Sequence, residues 1–130
     1  MSKYYEFRDI ESNQLRICAN WGLYDPVHGG NPISQAEKTL EECGELLIAL
    51  GKVAALKSVA DAYPDAGKFK QLLDAAMAET KDAVGDVLVT LVNACALLDI
   101  DMIHDCYGPA VDVISKRTGR MIRGQFHKDE

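Results

Sequence analysis

Apolar and polar positions recur with helical spacing over most of this chain. The most apolar stretch runs from Val84 to Leu98 (VGDVLVTLVNACALL), and its strongly polar residues are Asp86, Thr90 and Asn93. With Asp82 just upstream they step by four, four and three, which puts all four on one narrow face of a helix. A helix apolar all round is expected to be buried all round. A carboxylate on it must then be paired, protonated or bound to a cation, since burying it alone costs on the order of several kcal/mol.

The pattern predicts four helices and almost no strand. The first covers about Tyr4 to Asn20, with Phe7, Ile10 and Ile17 on one face and Glu6, Arg8 and Glu11 towards water. Trp21 to Pro32 (WGLYDPVHGGNP) is dense in turn formers and reads as a loop, with His28 a loop residue rather than a ligand. Ser34, with Glu37 three residues on, forms a capping box opening a second helix that runs through Leu50 to about Ala60. Tyr63 to Gly67 (YPDAG) breaks the chain before a third and longest helix, about Lys68 to Leu98. Asp99 or Asp101 can cap the last helix, which Gly108-Pro109 should kink or divide. The tail from Gly119 (GRMIRGQFHKDE) is basic and glycine-punctuated, and is expected to be extended or loosely packed. Short loops between long helices predict an all-α, four-helix-bundle-like, up-and-down fold forming one domain over residues 1–130. Apolar faces on nearly every helix make a homo-oligomer, dimer or tetramer, the expected state.

Composition narrows the partners. Apolar residues make up 48% and charged residues 26%, ordinary for a globular domain. The net charge of −6 argues against a nucleic-acid surface, because phosphate backbones are held by clustered Lys and Arg. It also opposes anionic ligands unless a cation neutralises the acidic groups. No run approaches the roughly 18–20 uncharged residues that span a bilayer, so no membrane partner is expected. The opening MSKYYEFRD has neither the basic flank nor the hydrophobic segment of a signal peptide. Cys18, Cys43, Cys95 and Cys106 form no CxxC pair and read as small core residues of a reduced, cytoplasmic protein.

Two acidic clusters carry the candidate chemistry. On the second helix, 100° per residue gathers Lys38, Glu41, Glu42 and Glu45 into one sector, with Leu40, Cys43, Leu47 and Leu50 opposite. Alone this is an ordinary amphipathic helix, and Lys38 can simply pair with Glu42 at i,i+4. However, Ala49 and Val53 continue the acidic sector, so the face carrying the glutamates should enter a packed interior. On the third helix Glu79, Asp82 and Asp86 share a stripe, and Gly85 costs about 1 kcal/mol of helix propensity against Ala, as expected where a backbone or ligand comes close. Hard cations such as Mg²⁺ prefer carboxylate oxygens and bridge to substrate phosphates. Transition metals would usually draw His or Cys, and no Glu-x-x-His pair of a di-iron bundle is present.

Lys38 to Leu46 (KTLEECGEL), followed by Asp82 to Val89 (DAVGDVLV), resembles the MazG-like family of all-α nucleotide pyrophosphohydrolases. The resemblance covers roughly Gln35 to Phe126. Glu41, Glu42 and Glu45 match the family's Glu-Glu-x-x-Glu, and Asp86 matches the terminal aspartate of its second acidic pair. The position three before it, usually Glu, is Ala83 here; Asp82 is the first stand-in and Glu79 the second. Arg117 to Phe126 echoes a basic C-terminal segment of small phage-type members.

The resemblance implies Mg²⁺-dependent cleavage of nucleoside triphosphates to monophosphate and pyrophosphate, with Mn²⁺ as a substitute ion. It implies Glu42, Glu45, Asp82 and Asp86 as metal ligands, with Glu41 as ligand or Glu41 or Glu42 as proton acceptor. Lys38 and Asn93 are candidate substrate contacts. So are Lys116, Arg117 and Arg120, which sit at a helix end where cations also favour the macrodipole. Trp21 and Gln35 are candidates for stacking on a base and reading it. Two rival readings remain: a nucleotide- or alarmone-binding module with little hydrolysis, and a structural oligomer whose acidic stripes are salt bridges.

Overall fold

A computed structural model describes residues 6–130. The fold is all-α, with one small β-hairpin near the C-terminus. In chain order it has α1 (Phe7–Asn20), α2 (Pro32–Ala62), α3 (Gly67–Leu97), a π-helical turn (Met102–Tyr107), α4 (Gly108–Ser115), β1 (Gly119–Ile122) and β2 (Gln125–Lys128). These form two compact units, Met1–Leu98 and Asp99–Glu130. No single helix among the described residues is long and apolar enough to cross a membrane.

The first unit is built on α2 and α3, each 31 residues and so about 47 Å long. They run antiparallel: the Thr39 and Thr90 hydroxyls meet at 2.8 Å, and further along Lys52 pairs with Glu79 at 3.1 Å. The covered positions of α2 are Thr39, Glu42, Leu46, Ala49, Val53 and Leu56; those of α3 are Leu73, Ala76, Thr80, Ala83, Val87 and Thr90. Both sets alternate steps of three and four, the heptad spacing of a coiled-coil seam. Ala49, Ala76 and Ala83 are nearly fully buried in it, and their small side chains let the two backbones approach. Helix α1 lies against α3, where the Gln14 amide donates to the Val89 carbonyl at 2.8 Å and to Asn93 Oδ1 at 3.0 Å.

Caps and turns depart from expectation in detail. The residues Tyr4 and Tyr5 assigned to the first helix lie outside the described residues, and Glu6 is the N-cap of α1. The capping box of α2 sits three residues earlier than the Ser34/Glu37 reading: Asn31 Oδ1 accepts from the Ser34 amide at 2.9 Å, and Ser34 Oγ accepts from the Asn31 amide at 3.1 Å. Pro32 then occupies the first turn, where its missing N–H is harmless. Asp101 caps the π-helical turn through the amides of Ile103 and His104, and the helix is divided at Gly108 as expected. The tail is not loose: β1 and β2 pair antiparallel, Met121 opposite Phe126 and Arg120 opposite His127. Their two-residue turn places Arg123 (φ 51°) and Gly124 (φ 80°) in the left-handed region, the geometry that matches strand twist.

Burial also corrects the sequence reading. Leu40, Leu47 and Leu50 are exposed rather than core, as are Phe7 and Ile10 of α1. Of the cysteines, all free, Cys18 is buried and Cys95 partly so, but Cys43 and Cys106 are exposed. Among the described residues no large side chain is fully buried.

Candidate metal centre and adjoining cleft

Glu42 occupies a seam position of α2, so the helix geometry that buries Ala49 also buries this carboxylate; it is 7% exposed. Its Oε1 lies 3.4 Å from Lys38 Nζ. Its Oε2 is buried and has no hydrogen-bond partner. Glu45 stands one turn further on, at the rim, and α3 brings Asp86 to the same point from the other side. Carboxylate oxygens of Glu42, Glu45 and Asp86 all lie within 4.8 Å of one another. The neighbouring Glu42 carboxylate raises the Glu45 pKa from its ordinary value, since a protonated Glu45 can donate a hydrogen bond to it and its charge opposes ionisation; Glu41 adds to this and Lys38 opposes it.

A buried carboxylate with one unpartnered oxygen, close to two further carboxylates, is unfavourable by itself. It becomes favourable once a cation sits among them. The donors are all hard oxygens, two of the three side chains are open to solvent, and neither nitrogen nor sulfur belongs to the set. That chemistry fits Mg²⁺ or Mn²⁺, which keep several waters alongside one or two carboxylates, better than zinc.

A cleft of about 330 Å³ continues from this cluster between α2 and α3, lined by Glu45, Lys52, Glu79, Asp82, Ala83 and Asp86 among others. Ala83 is a seam residue and forms part of its floor. Asp82 lines the cleft without joining the close trio, and its carboxylate has no partner among the described residues. Glu79 is committed to Lys52, which leaves Asp82 the freer stand-in for the acid missing at Ala83. Glu41 is exposed and pairs with Lys38 at 3.2 Å, so Lys38 makes the helix salt bridges expected of it. These raise the Lys38 pKa, Glu41 contributing most. Asp86 is exposed, contrary to the expectation of burial, because α3 is covered on its seam and along the α1 contact rather than all round. Space beside Gly85 is open, so no backbone approach explains that glycine.

A second hollow, about 220 Å³, lies where α1, the following loop and α3 meet; Trp21, Leu23, His28, Gly30, Val89 and Asn93 line it. The loop is tight. Asp25 Oδ1 accepts from the amides of Val27 and His28, which lowers the Asp25 pKa. Any side chain at Gly29 would collide with the carbonyls of Leu23 and Asp25. Leu23 is the buried anchor of this loop, while Trp21 is 80% exposed and is therefore not the packing residue a lone tryptophan usually is. Asn93 is buried, belongs to the Gln14 hydrogen-bond network and also faces the hollow. Seven residues separate it from Asp86, about 10 Å along the helix.

Lys116, at the C-cap of α4, Arg117 and Arg120, on β1 opposite His127, belong to the second unit. Sequence reasoning did not select Lys52 or Gln14. Lys52 had a usable signal, since it stands seven residues after Glu45 on the same stripe; Gln14 had none. Comparison with protein-family models, with curated proteins and with solved structures finds no match.

Proposed function

We propose that this chain is a Mg²⁺-dependent nucleoside triphosphate pyrophosphohydrolase, converting a (d)NTP to the (d)NMP and pyrophosphate. The observation that carries the reading is the buried Glu42 carboxylate, one oxygen of which has no hydrogen-bond partner, with carboxylate oxygens of Glu42, Glu45 and Asp86 within 4.8 Å of one another. Two further features support it: the cleft running on from that cluster, and a separate hollow about 10 Å away along α3 of a size to take a base.

Glu42, Glu45 and Asp86 would hold the cation, with Asp82 completing the set from the cleft wall; Mn²⁺ would substitute. When bound, Mg²⁺ neutralises acid and phosphate, polarises phosphoryl oxygens and lowers the pKa of a coordinated water. Water attacks the α-phosphorus, the bond to the bridging oxygen of the β-phosphoryl group breaks, and pyrophosphate leaves. Glu41, exposed next to Glu42, accepts the proton of the attacking water. Lys38, whose ammonium pairs with Glu41 and Glu42, would turn to a phosphate oxygen of the substrate. Asn93 offers its amide to the base or sugar, and Trp21 an exposed ring on which a base can stack.

One observation favours a second reading. Ala83 leaves the acidic set one carboxylate short of the family pattern, which suits a domain that binds a nucleotide or alarmone but turns it over slowly. A panel of ribo- and deoxyribonucleoside triphosphates, incubated with the protein and Mg²⁺ and resolved by anion exchange, separates the two. Monophosphate and pyrophosphate in equal amounts are expected. Thermal stabilisation by nucleotide without turnover would favour the binding module, and neither response would sink both.

A further inference from the structure

We propose that Lys52, held at the acidic cleft by Glu79, takes the terminal phosphoryl group of the substrate and so selects a nucleoside triphosphate over shorter phosphate chains. This role rests on the nucleotide reading of the site and adds a polarity to it. Lys52 stands seven residues after Glu45 on α2, and Glu79 seven residues before Asp86 on α3. Seven residues are nearly two helical turns, so each shares the stripe of its acidic neighbour, about 10 Å along the helix from the cation cluster. Asn93 lies the same distance beyond Asp86 in the opposite direction. Along α3, Asp86 therefore stands midway between the hollow against α1 and the Lys52–Glu79 pair. With the base assigned to that hollow and the α-phosphorus to the cation, the remaining two phosphoryl groups point towards Lys52.

Charge and mobility single out this lysine. Of the described residues lining the cleft it alone is cationic, against Glu45, Glu79, Asp82 and Asp86. A cation among the carboxylates offsets charge near the α-phosphoryl group, but about 10 Å away, a full screening length in ordinary salt, the far phosphate needs a counter-charge of its own. The seam does not use Lys52: Ala49, Val53 and Leu56 are the covered positions around it, while its ammonium pairs with Glu79 Oε2 at 3.1 Å. Both side chains are 53% exposed, and an ion pair so open to water contributes little to stability. A phosphate oxygen can therefore replace the Glu79 carboxylate as acceptor at small cost. The flexible four-carbon stem of lysine lets the ammonium follow the ligand, and Glu79 keeps it at the cleft while no substrate is bound. A diphosphate with its α-phosphorus at the cation ends one phosphoryl group sooner and leaves Lys52 on Glu79.

Wild type is compared with Lys52→Met, Lys52→Arg and Lys57→Ala, the last removing an exposed cation of α2 that does not line the cleft. Three quantities are read on the whole chain: hydrolysis of a nucleoside triphosphate with Mg²⁺, calorimetric binding of inorganic triphosphate and of a nucleoside diphosphate with Mg²⁺, and melting with Mg²⁺ alone. Loss of one charge-assisted hydrogen bond should raise the triphosphate KM of Lys52→Met by about 10–100-fold and weaken inorganic triphosphate by the same factor. Its kcat, its affinity for the diphosphate and its melting response to Mg²⁺ should stay close to wild type, because the contact is lost equally from ground state and transition state. Lys52→Arg should keep most of the affinity and Lys57→Ala all of it. Wild-type affinity for inorganic triphosphate in Lys52→Met, with hydrolysis and the Mg²⁺ response intact, would overturn the role of Lys52 and leave the proposed function standing. An equal loss of diphosphate affinity would overturn it too, since Lys52 would then act as a general charge. So would loss of the Mg²⁺ response, which would make the pair a strut between α2 and α3. A wild type that neither responds to Mg²⁺ nor hydrolyses or binds any nucleotide fails the proposed function itself, and the role of Lys52 with it.

Discussion

Glu42 is a carboxylate in a position where the heptad asks for an apolar residue, and the rest of the site follows from that conflict. Its burial beside Glu45 and Asp86 makes the metal-free protein electrostatically frustrated. Glu45→Gln should therefore raise the melting temperature without metal, because it removes the charge that Glu42 opposes, while abolishing the response to Mg²⁺. On the proposed function, hydrolysis by Glu45→Gln and Asp86→Asn should fall by about 100-fold or more, since each would lose a cation ligand. Wild-type activity in either variant would contradict the assignment. The pH dependence has a definite sign. Glu45 binds its proton more tightly in the folded protein than in the unfolded chain, so its contribution to metal-free stability is present below its unfolded pKa and disappears as pH rises through the raised, folded value. A cation competes with that proton. Stabilisation by Mg²⁺, followed by thermal melting, should accordingly shrink as pH drops from neutrality towards the ordinary carboxylate range and return on raising it; a pH-independent Mg²⁺ effect would place the ion elsewhere.

At the scale of elements, α2 depends on its cap and its seam. Asn31→Ala removes the side-chain half of the capping box, the Oδ1 that accepts from the Ser34 amide, while the residue-31 amide still donates to Ser34 Oγ; it should cost about 1 kcal/mol in chemical denaturation. Ala76→Leu forces a larger side chain between two closely packed helices and should cost about 1–3 kcal/mol; a neutral result would mean the seam is looser than its burial indicates. The existence of α1, α2, α3 and α4 was legible from periodicity because helical spacing is a local property of the chain. The meeting of Glu42, Glu45 and Asp86 was also legible, since the shift from acid to Ala49 and Val53 on one face marks where that face enters the interior. Which apolar stripe is core was not. α2 carries two stripes with the same spacing, and Leu40 and Leu47 are no less apolar than Leu46. Only the pairing with α3 decides between them. The hairpin was missed for a related reason: its turn is Arg-Gly rather than Asn-Gly, and four-residue strands give period-two alternation little room.

At the scale of the whole molecule, the proposed function assigns the polyphosphate to the acidic cleft between α2 and α3 and the base to the hollow against α1. Trp21 is the sole tryptophan of the chain and stands exposed at that hollow, so on the proposed reading its fluorescence should change on adding a nucleoside triphosphate with Mg²⁺. Inorganic triphosphate, which lacks a base, should leave it unaltered; equal responses to both would remove Trp21 from the base site. The most direct test of the central claim is thermal melting of the wild type and of Asp86→Asn with Mg²⁺ alone, and then with Mg²⁺ and a non-hydrolysable nucleoside triphosphate. The predicted result is stabilisation of the wild type by Mg²⁺, increased by the nucleotide, and neither effect in Asp86→Asn. A wild type indifferent to Mg²⁺, or a variant that responds as the wild type does, would contradict a cation held between Glu42, Glu45 and Asp86.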